Sequence, residues 1–144
     1  MTVLIDADGC PVVDITIRLS KQAGVDCIIV CDTAHVYEKA DAKTVTVSKG
    51  SDSADFVLVN MIQKGDIAVT QDYGLAAMCL ARGTVPVSQD GMIYSDDNIG
   101  ALLLQRHTAK KIRMSGGRLK GSPKRTPVQD KAFEQTLKTL LSKG

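Results

Sequence analysis

The 144-residue sequence predicts an α/β fold: a mainly parallel sheet flanked by helices. Three observations carry this. Short β-branched apolar runs alternate with segments of helical spacing, as in successive βα units. The run "DCIIVC" is apolar on both faces, as in a strand covered on both sides. Glycines and a proline punctuate these segments where helices would start or stop, as at Pro11, Gly24, Gly65 and Gly83. The length suits one domain, since chains of about 100–200 residues usually form one. A chain near 150 residues can bury roughly 68–70% of its unfolded surface, enough for a core without disulfide or metal staples.

The elements follow in order. "TVLID" (2–6) reads as the first strand, and Pro11 suits the first turn of a helix running to about Ala23, where Gly24 ends it. "DCIIVC" (26–31) is the second strand and "KTVTVS" (43–48) the third, β-branched and alternating. From Ser51 the period changes: Ala54, Val57, Leu58, Met61 and Ile62 fall at helical spacing, with Ser51 as N-cap and Gly65 as the stop. "DIAVT" (66–70) is a strand, and "YGLAAMCLAR" (73–82) a helix closed by Gly83. "TVPVS" (84–88) is the next strand, with Pro86 pointing to a sheet edge. Ser95 caps a helix to about Arg113. "MSGGRLKGSPKRTP" (114–127) is a basic loop. Thr126 and Gln129 then form a capping-box pattern around Pro127, and Phe133, Leu137, Leu140 and Leu141 stripe the last helix. Residues 1–113 are therefore expected to form the α/β body. Residues 114–144 are expected to add a basic loop and a docking helix to the same domain.

Charge divides the chain. Residues 1–100 hold 7 Lys and Arg against 14 Asp and Glu, whereas residues 101–144 hold 11 against 2. An acidic body with a basic tail points to a polyanionic partner. No apolar run approaches the ~18 residues of a membrane span, and no basic region precedes the short N-terminal apolar run, so a soluble cytoplasmic protein is expected. Cys10, Cys27, Cys31 and Cys79 lack metal-site spacing and read as buried free thiols. His35 lies in a loop, where a hydrogen-bonded or surface role is the expectation. His107 sits mid-helix and receives no role.

The aspartates converge. Asp6 and Asp8 follow the first strand and Asp32 the second. Asp52 and Asp55 lie in the first turn of the helix after the third, and Asp72 and Asp90 follow the last two strands. Singly, several of these could serve a helix dipole or a turn. Asp6 and Asp72 are harder to explain so, because each closes an apolar strand where a buried charge is costly. Crowded carboxylates raise each other's pKa, and such a cluster calls for a cation. Hard oxygen ligands select Mg²⁺ or Mn²⁺. Such a site beside a basic tail suits phosphodiester hydrolysis, with Arg113, Arg118, Lys120, Lys124 and Arg125 neutralising substrate phosphates. The partner is read as nucleic acid, RNA ahead of DNA, and not a membrane.

"DADGCPV" (6–12), "SDSAD" (51–55), "VTQDYGLA" (69–76) and "GGRLKGSPKRT" (116–126) together resemble the bacterial YaiI/YqxD family, which is similar to PIN-like nuclease domains. The resemblance spans almost the whole chain. It implies a three-layer PIN-like (Rossmann-like) fold and a metal-dependent nuclease built on an acidic quartet. Asp6 matches the acid ending the first strand, Asp52 or Asp55 the acid on the middle helix, and Asp72 the aspartate of a Thr-x-Asp-x-x-Leu element that Thr70 supports. PIN domains often carry another acid two residues later. This chain has Gly74 there, and Asp8 is the candidate to compensate.

Two rivals stand beside this expectation. "DADG" also resembles the start of haloacid-dehalogenase-like phosphatases, with Asp6 as nucleophile, Asp8 as acid/base and Thr70 binding phosphate. That chemistry asks for a lysine before a terminal acidic pair. "SDD" (95–97) offers the pair, but no lysine occurs between Thr70 and Asp97. A non-catalytic RNA-binding module is the other rival, although aromatics form only 3% of residues and give little stacking surface. Tyr73 could stack one base, though a packed tyrosine at a helix start is the better account.

Overall fold

Strand β1 (Thr2–Asp6) is the centre of the sheet in the computed structural model, which describes residues 1–32, 39–47, 53–116 and 124–143. It is flanked by β2 (Asp26–Asp32) and β3 (Lys43–Val47) on one side, and by β4 (Ile67–Val69) and β5 (Val85–Val87) on the other. The order is β3-β2-β1-β4-β5, and every pair is parallel. The chain therefore winds outward from β1 in one direction and outward from β4 in the other. The seam between β1 and β4 is the topological switch point, where sheets of this kind open a crevice at their carboxyl ends.

Helices α1 (Val13–Ala23) and α5 (Pro127–Ser142) cover one face of the sheet, α2 (Ser53–Met61) and α3 (Tyr73–Ala81) the other. The pleat sorts β1 accordingly. Val3 and Ile5 join Ile17 and Leu19 of α1 and Phe133, Leu137, Leu140 and Leu141 of α5, whereas Leu4 joins Leu58 of α2 with Leu75 and Cys79 of α3. This is the three-layer PIN-like α/β architecture. Burying a side chain such as Phe133 or Leu137 contributes about 1.5–3 kcal/mol, which explains why α5 docks despite its basic approach. Helix α4 (Ile99–Met114) packs outside α3. Among the described residues no helix is long and apolar enough to cross a membrane.

Local chemistry shifts several boundaries. Pro11 does not open α1. The Cys10 amide donates to the Ala7 carbonyl at 3.0 Å around Gly9, whose φ is +72°, so Pro11 and Val12 complete a turn and the helix starts at Val13. Ser95 and Asn98 organise the start of α4 together: the Ser95 carbonyl accepts from the Asn98 and Ile99 amides at 3.2 and 3.0 Å, while Asn98 Oδ1 accepts from the Ser95 amide at 2.9 Å and its Nδ2 donates to the Ile93 carbonyl at 2.9 Å. Ser51, the expected cap of α2, lies outside the described residues, as does His35. Pro86 does sit in an edge strand. Asp66 precedes β4 and is structural, tying the sheet's amino end together by accepting from the Thr2 and Gln63 amides, each at 2.9 Å.

The capping arm foreseen for α5 is present, with the Thr126 amide donating to Gln129 Oε1 at 2.7 Å. The helix rests on the loop after β5. Gly91 has φ +85°, and a Cβ there would lie 2.6 Å from the Ala132 carbonyl oxygen, so only glycine fits.

Candidate functional site

At the switch point one hydroxyl joins two carboxylate-bearing elements. Thr70 ends β4 and is 2% exposed. Its Oγ1 donates to Asp6 Oδ2, at the end of β1, at 2.8 Å, and accepts from the Asp72 amide at 3.0 Å. The Thr-x-Asp spacing produces this directly, because a threonine hydroxyl readily accepts the amide two residues on. Asp72 then becomes the N-cap of α3, its Oδ1 accepting from the Gly74 and Leu75 amides at 2.9 and 3.2 Å. The Thr70 carbonyl in turn accepts from the Tyr94 hydroxyl at 3.1 Å. Tyr73 meets Tyr94 edge-on, with ring centroids 6.0 Å apart.

Asp6 carries the perturbed carboxyl. Burial pushes its carboxyl above the ordinary range; the Thr70 hydrogen bond opposes this, and the charges of Asp72 and Asp8 add to it. Asp8 lies on the turn after β1, where its Oδ2 accepts from the Asp32 amide at 3.3 Å. Asp55 sits half-buried in the first turn of α2. Burial pushes the Cys79 thiol up to about 11, a hydrogen bond with Thr84 opposes this, and Asp55 and Asp6 push it further. Both acids therefore stand within electrostatic reach of one α3 residue. Asp52 lies outside the described residues.

The basic residues divide differently. Arg118 and Lys120 fall outside the described residues, as does the side chain of Arg113. Lys124 is exposed. Arg125 is committed elsewhere. It is 21% exposed, and its guanidinium donates to Asp90 Oδ1 and Asp130 Oδ1, each at 2.8 Å, and to the Gln89 carbonyl at 2.6 Å. It thus fastens the start of α5 to the loop after β5, and it draws Asp90 into that clasp. Sequence reading missed Arg106 altogether. It lies 34 residues beyond Asp72, and its Nη1 approaches Asp72 Oδ1 at 3.3 Å. The signal was thin: one arginine on the fold's outermost helix.

All four cysteines are free thiols. Burial raises Cys10 to about 11, the Val12 backbone and Arg125 oppose this, and Asp6 adds to it. A thiol so held is a poor nucleophile at neutral pH, in keeping with a packing role.

Among the described residues, no three His, Cys, Asp or Glu side chains gather as a ready metal-binding group. The donor chemistry nevertheless suits a hard divalent ion. Asp6 uses Oδ2 for Thr70 and Asp72 uses Oδ1 for its cap, so each carboxylate keeps a second oxygen outside those bonds. Mg²⁺ commonly takes only one or two carboxylates, with waters and substrate phosphates completing its shell.

The sequence model of a family described as an uncharacterized BCR, the YaiI/YqxD family, matches residues 4–143. A UPF0178 protein of Exiguobacterium sibiricum is 51% identical over 142 residues, which cover 99% of this chain and 97% of that protein. Its counterpart from Ruminiclostridium cellulolyticum is 47% identical over 137 residues, 95% of this chain and 90% of its own length. One from Clostridium acetobutylicum is 38% identical over 146 residues, covering 100% and 99%.

Proposed function

This chain belongs to the YaiI/YqxD family, and we propose that it hydrolyses phosphodiester bonds in nucleic acid with Mg²⁺ or Mn²⁺ held at Asp6 and Asp72. The observation that supports this most is the Asp6–Thr70–Asp72 chain at the switch point. One hydroxyl joins the Asp6 carboxylate to the Asp72 amide, and burial raises the Asp6 carboxyl with the Asp72 charge adding to the shift. A cation bound there would favour the ionised carboxylate that burial disfavours.

When bound, the ion would polarise the phosphate, orient water and stabilise the leaving oxygen. Thr70 positions both acids, fixing Asp6 from one side and the turn into α3 from the other. Asp8 and Asp55 stand as further ligands or as supports for them, and Asp52 belongs to the same set. Lys124, with Arg113, Arg118 and Lys120, would neutralise flanking phosphates without reading sequence. RNA is the substrate to test ahead of DNA, and four free thiols support a cytoplasmic setting. The phosphatase alternative asks the Thr70 hydroxyl to bind phosphate, whereas here it is donated to Asp6.

The test is cleavage of single-stranded and structured RNA and DNA with Mn²⁺ or Mg²⁺, comparing wild type with Asp6→Asn and Asp72→Asn. Metal-dependent cleavage that both substitutions abolish is expected. Equal cleavage by all three preparations would assign the activity to a contaminant. Salt-sensitive binding with no turnover would leave the non-catalytic RNA-binding module.

A further inference from the structure

Arg106 stands on an exposed stretch of α4, yet its guanidinium reaches into the acidic site. Gly74 lies beside this contact. A Cβ at Gly74 would lie 3.2 Å from Arg106 Nη1 and 3.3 Å from Asp72 Oδ1, so the guanidinium uses room that a side chain would take. The backbone at Gly74 does not demand glycine: it lies in the first turn of α3, where glycine is a poor helix former. A side chain there would crowd the Arg106–Asp72 contact by a few tenths of an ångström.

We propose that Arg106 is a displaceable counter-charge. It balances the charge of Asp72 from the Oδ1 side, swings away when a divalent ion at the other oxygen supplies that balance, and then pairs with a phosphate of the bound strand. This rests on the metal-dependent reading above. The pair is built to break. Arg106 is 60% exposed and Asp72 33% exposed, and an ion pair so open to water holds weakly. Its guanidinium is the side-chain group best matched to a phosphate, which it can grip with two parallel hydrogen bonds. One turn further along α4, Lys110 is exposed on the same side and Lys111 lies beside it. Arg106 and Lys110, four residues apart, thus lie on one side of α4, where a nucleic-acid backbone can follow them.

Opposite effects on two ligands test the proposal. Mn²⁺ binding is measured by titration followed by electron paramagnetic resonance. Strand binding is measured by fluorescence anisotropy with a single-stranded phosphorothioate oligonucleotide, which resists cleavage. Removing one screened positive charge near the ion should tighten Mn²⁺ binding to Arg106→Ala about three- to tenfold and weaken the oligonucleotide by a similar factor. Arg106→Lys should keep Mn²⁺ affinity near wild type and lose part of the oligonucleotide affinity. Mn²⁺ affinity unchanged in Arg106→Ala, or both ligands weakened together, would overturn the role assigned to Arg106 while leaving the metal site standing. Absence of Mn²⁺ binding in wild type and every variant would remove the metal site and this proposal together.

Discussion

Thr70→Val is the sharpest probe of how the site is held. The change keeps the shape and deletes one hydroxyl that serves two bonds: 2.8 Å to Asp6 Oδ2 and 3.0 Å from the Asp72 amide. A hydrogen bond to a charged group is worth about 1.5–3 kcal/mol and a neutral one about 0.5–1.5 kcal/mol. Because both depend on one atom, and Asp6 keeps some contact with water, a combined loss of about 2–4 kcal/mol is expected. For a chain of this length that lowers Tm by about 6–15 °C.

The loss should depend on pH. The Thr70 bond holds the Asp6 carboxyl down against burial, so deleting it pushes the folded pKa further up. The substitution then costs most where Asp6 is ionised and less as pH falls through that folded value. Urea denaturation near pH 7 and about pH 4 reads both the size and the trend. In an Asp6→Asn background the cost of Thr70→Val should shrink by about 1 kcal/mol or more, since no buried charge is left to abandon. A loss below about 0.5 kcal/mol near neutral pH, or an equal loss at both pH values, would refute the idea that Thr70 compensates a desolvated carboxylate.

Asp6→Asn alone should stabilise the fold near neutral pH. The folded Asp6 pKa lies above the unfolded value of 3.8, so ionisation costs stability as pH rises through the folded value; below 3.8 the variant and wild type should converge. Urea melts near pH 7 and about pH 3 check this, and a less stable variant near neutral pH would contradict it. Arg125→Ala should cost about 1–3 kcal/mol by releasing Asp90, Asp130 and the Gln89 carbonyl together. An unchanged melting curve with weakened oligonucleotide binding would instead make Arg125 a phosphate ligand. Cys10, with its thiol near 11, should label slowly with a disulfide reagent at neutral pH and quickly once the chain is unfolded. Rapid labelling of native Cys10 would show a thiolate that burial has not suppressed.

Much of this fold is legible in local sequence because each strand carries its own signature. β-branched runs and helical spacings fixed every described strand and helix to within a few residues. The carboxyl-end rule then directed attention to Asp6 and Asp72. Even the Thr70 contact could be anticipated in part, since Thr-x-Asp is a local turn. What local pattern does not hold is how elements meet. The central position of β1, and hence the switch point beside it, comes from which strands pair, and no single run encodes that. Arg125 reads as one more cation in a basic tail; only the docking of α5 reveals Asp90 and Gln89 waiting for its guanidinium. Arg106 and Gly74 are paired by the packing of α4 on α3, across a separation that periodicity cannot bridge. Boundaries slipped where a turn intervened, as when the turn at Gly9 delayed α1 from Pro11 to Val13.

A divalent ion at the β1/β4 seam is what the proposed hydrolysis requires. Crystals soaked in Mn²⁺ and measured for anomalous scattering at the manganese edge test it most directly. An anomalous peak beside the carboxylates of Asp6 and Asp72, lost in Asp72→Asn, is the expected result. No peak there at saturating Mn²⁺, with the acids ordered and still joined through Thr70, would contradict it.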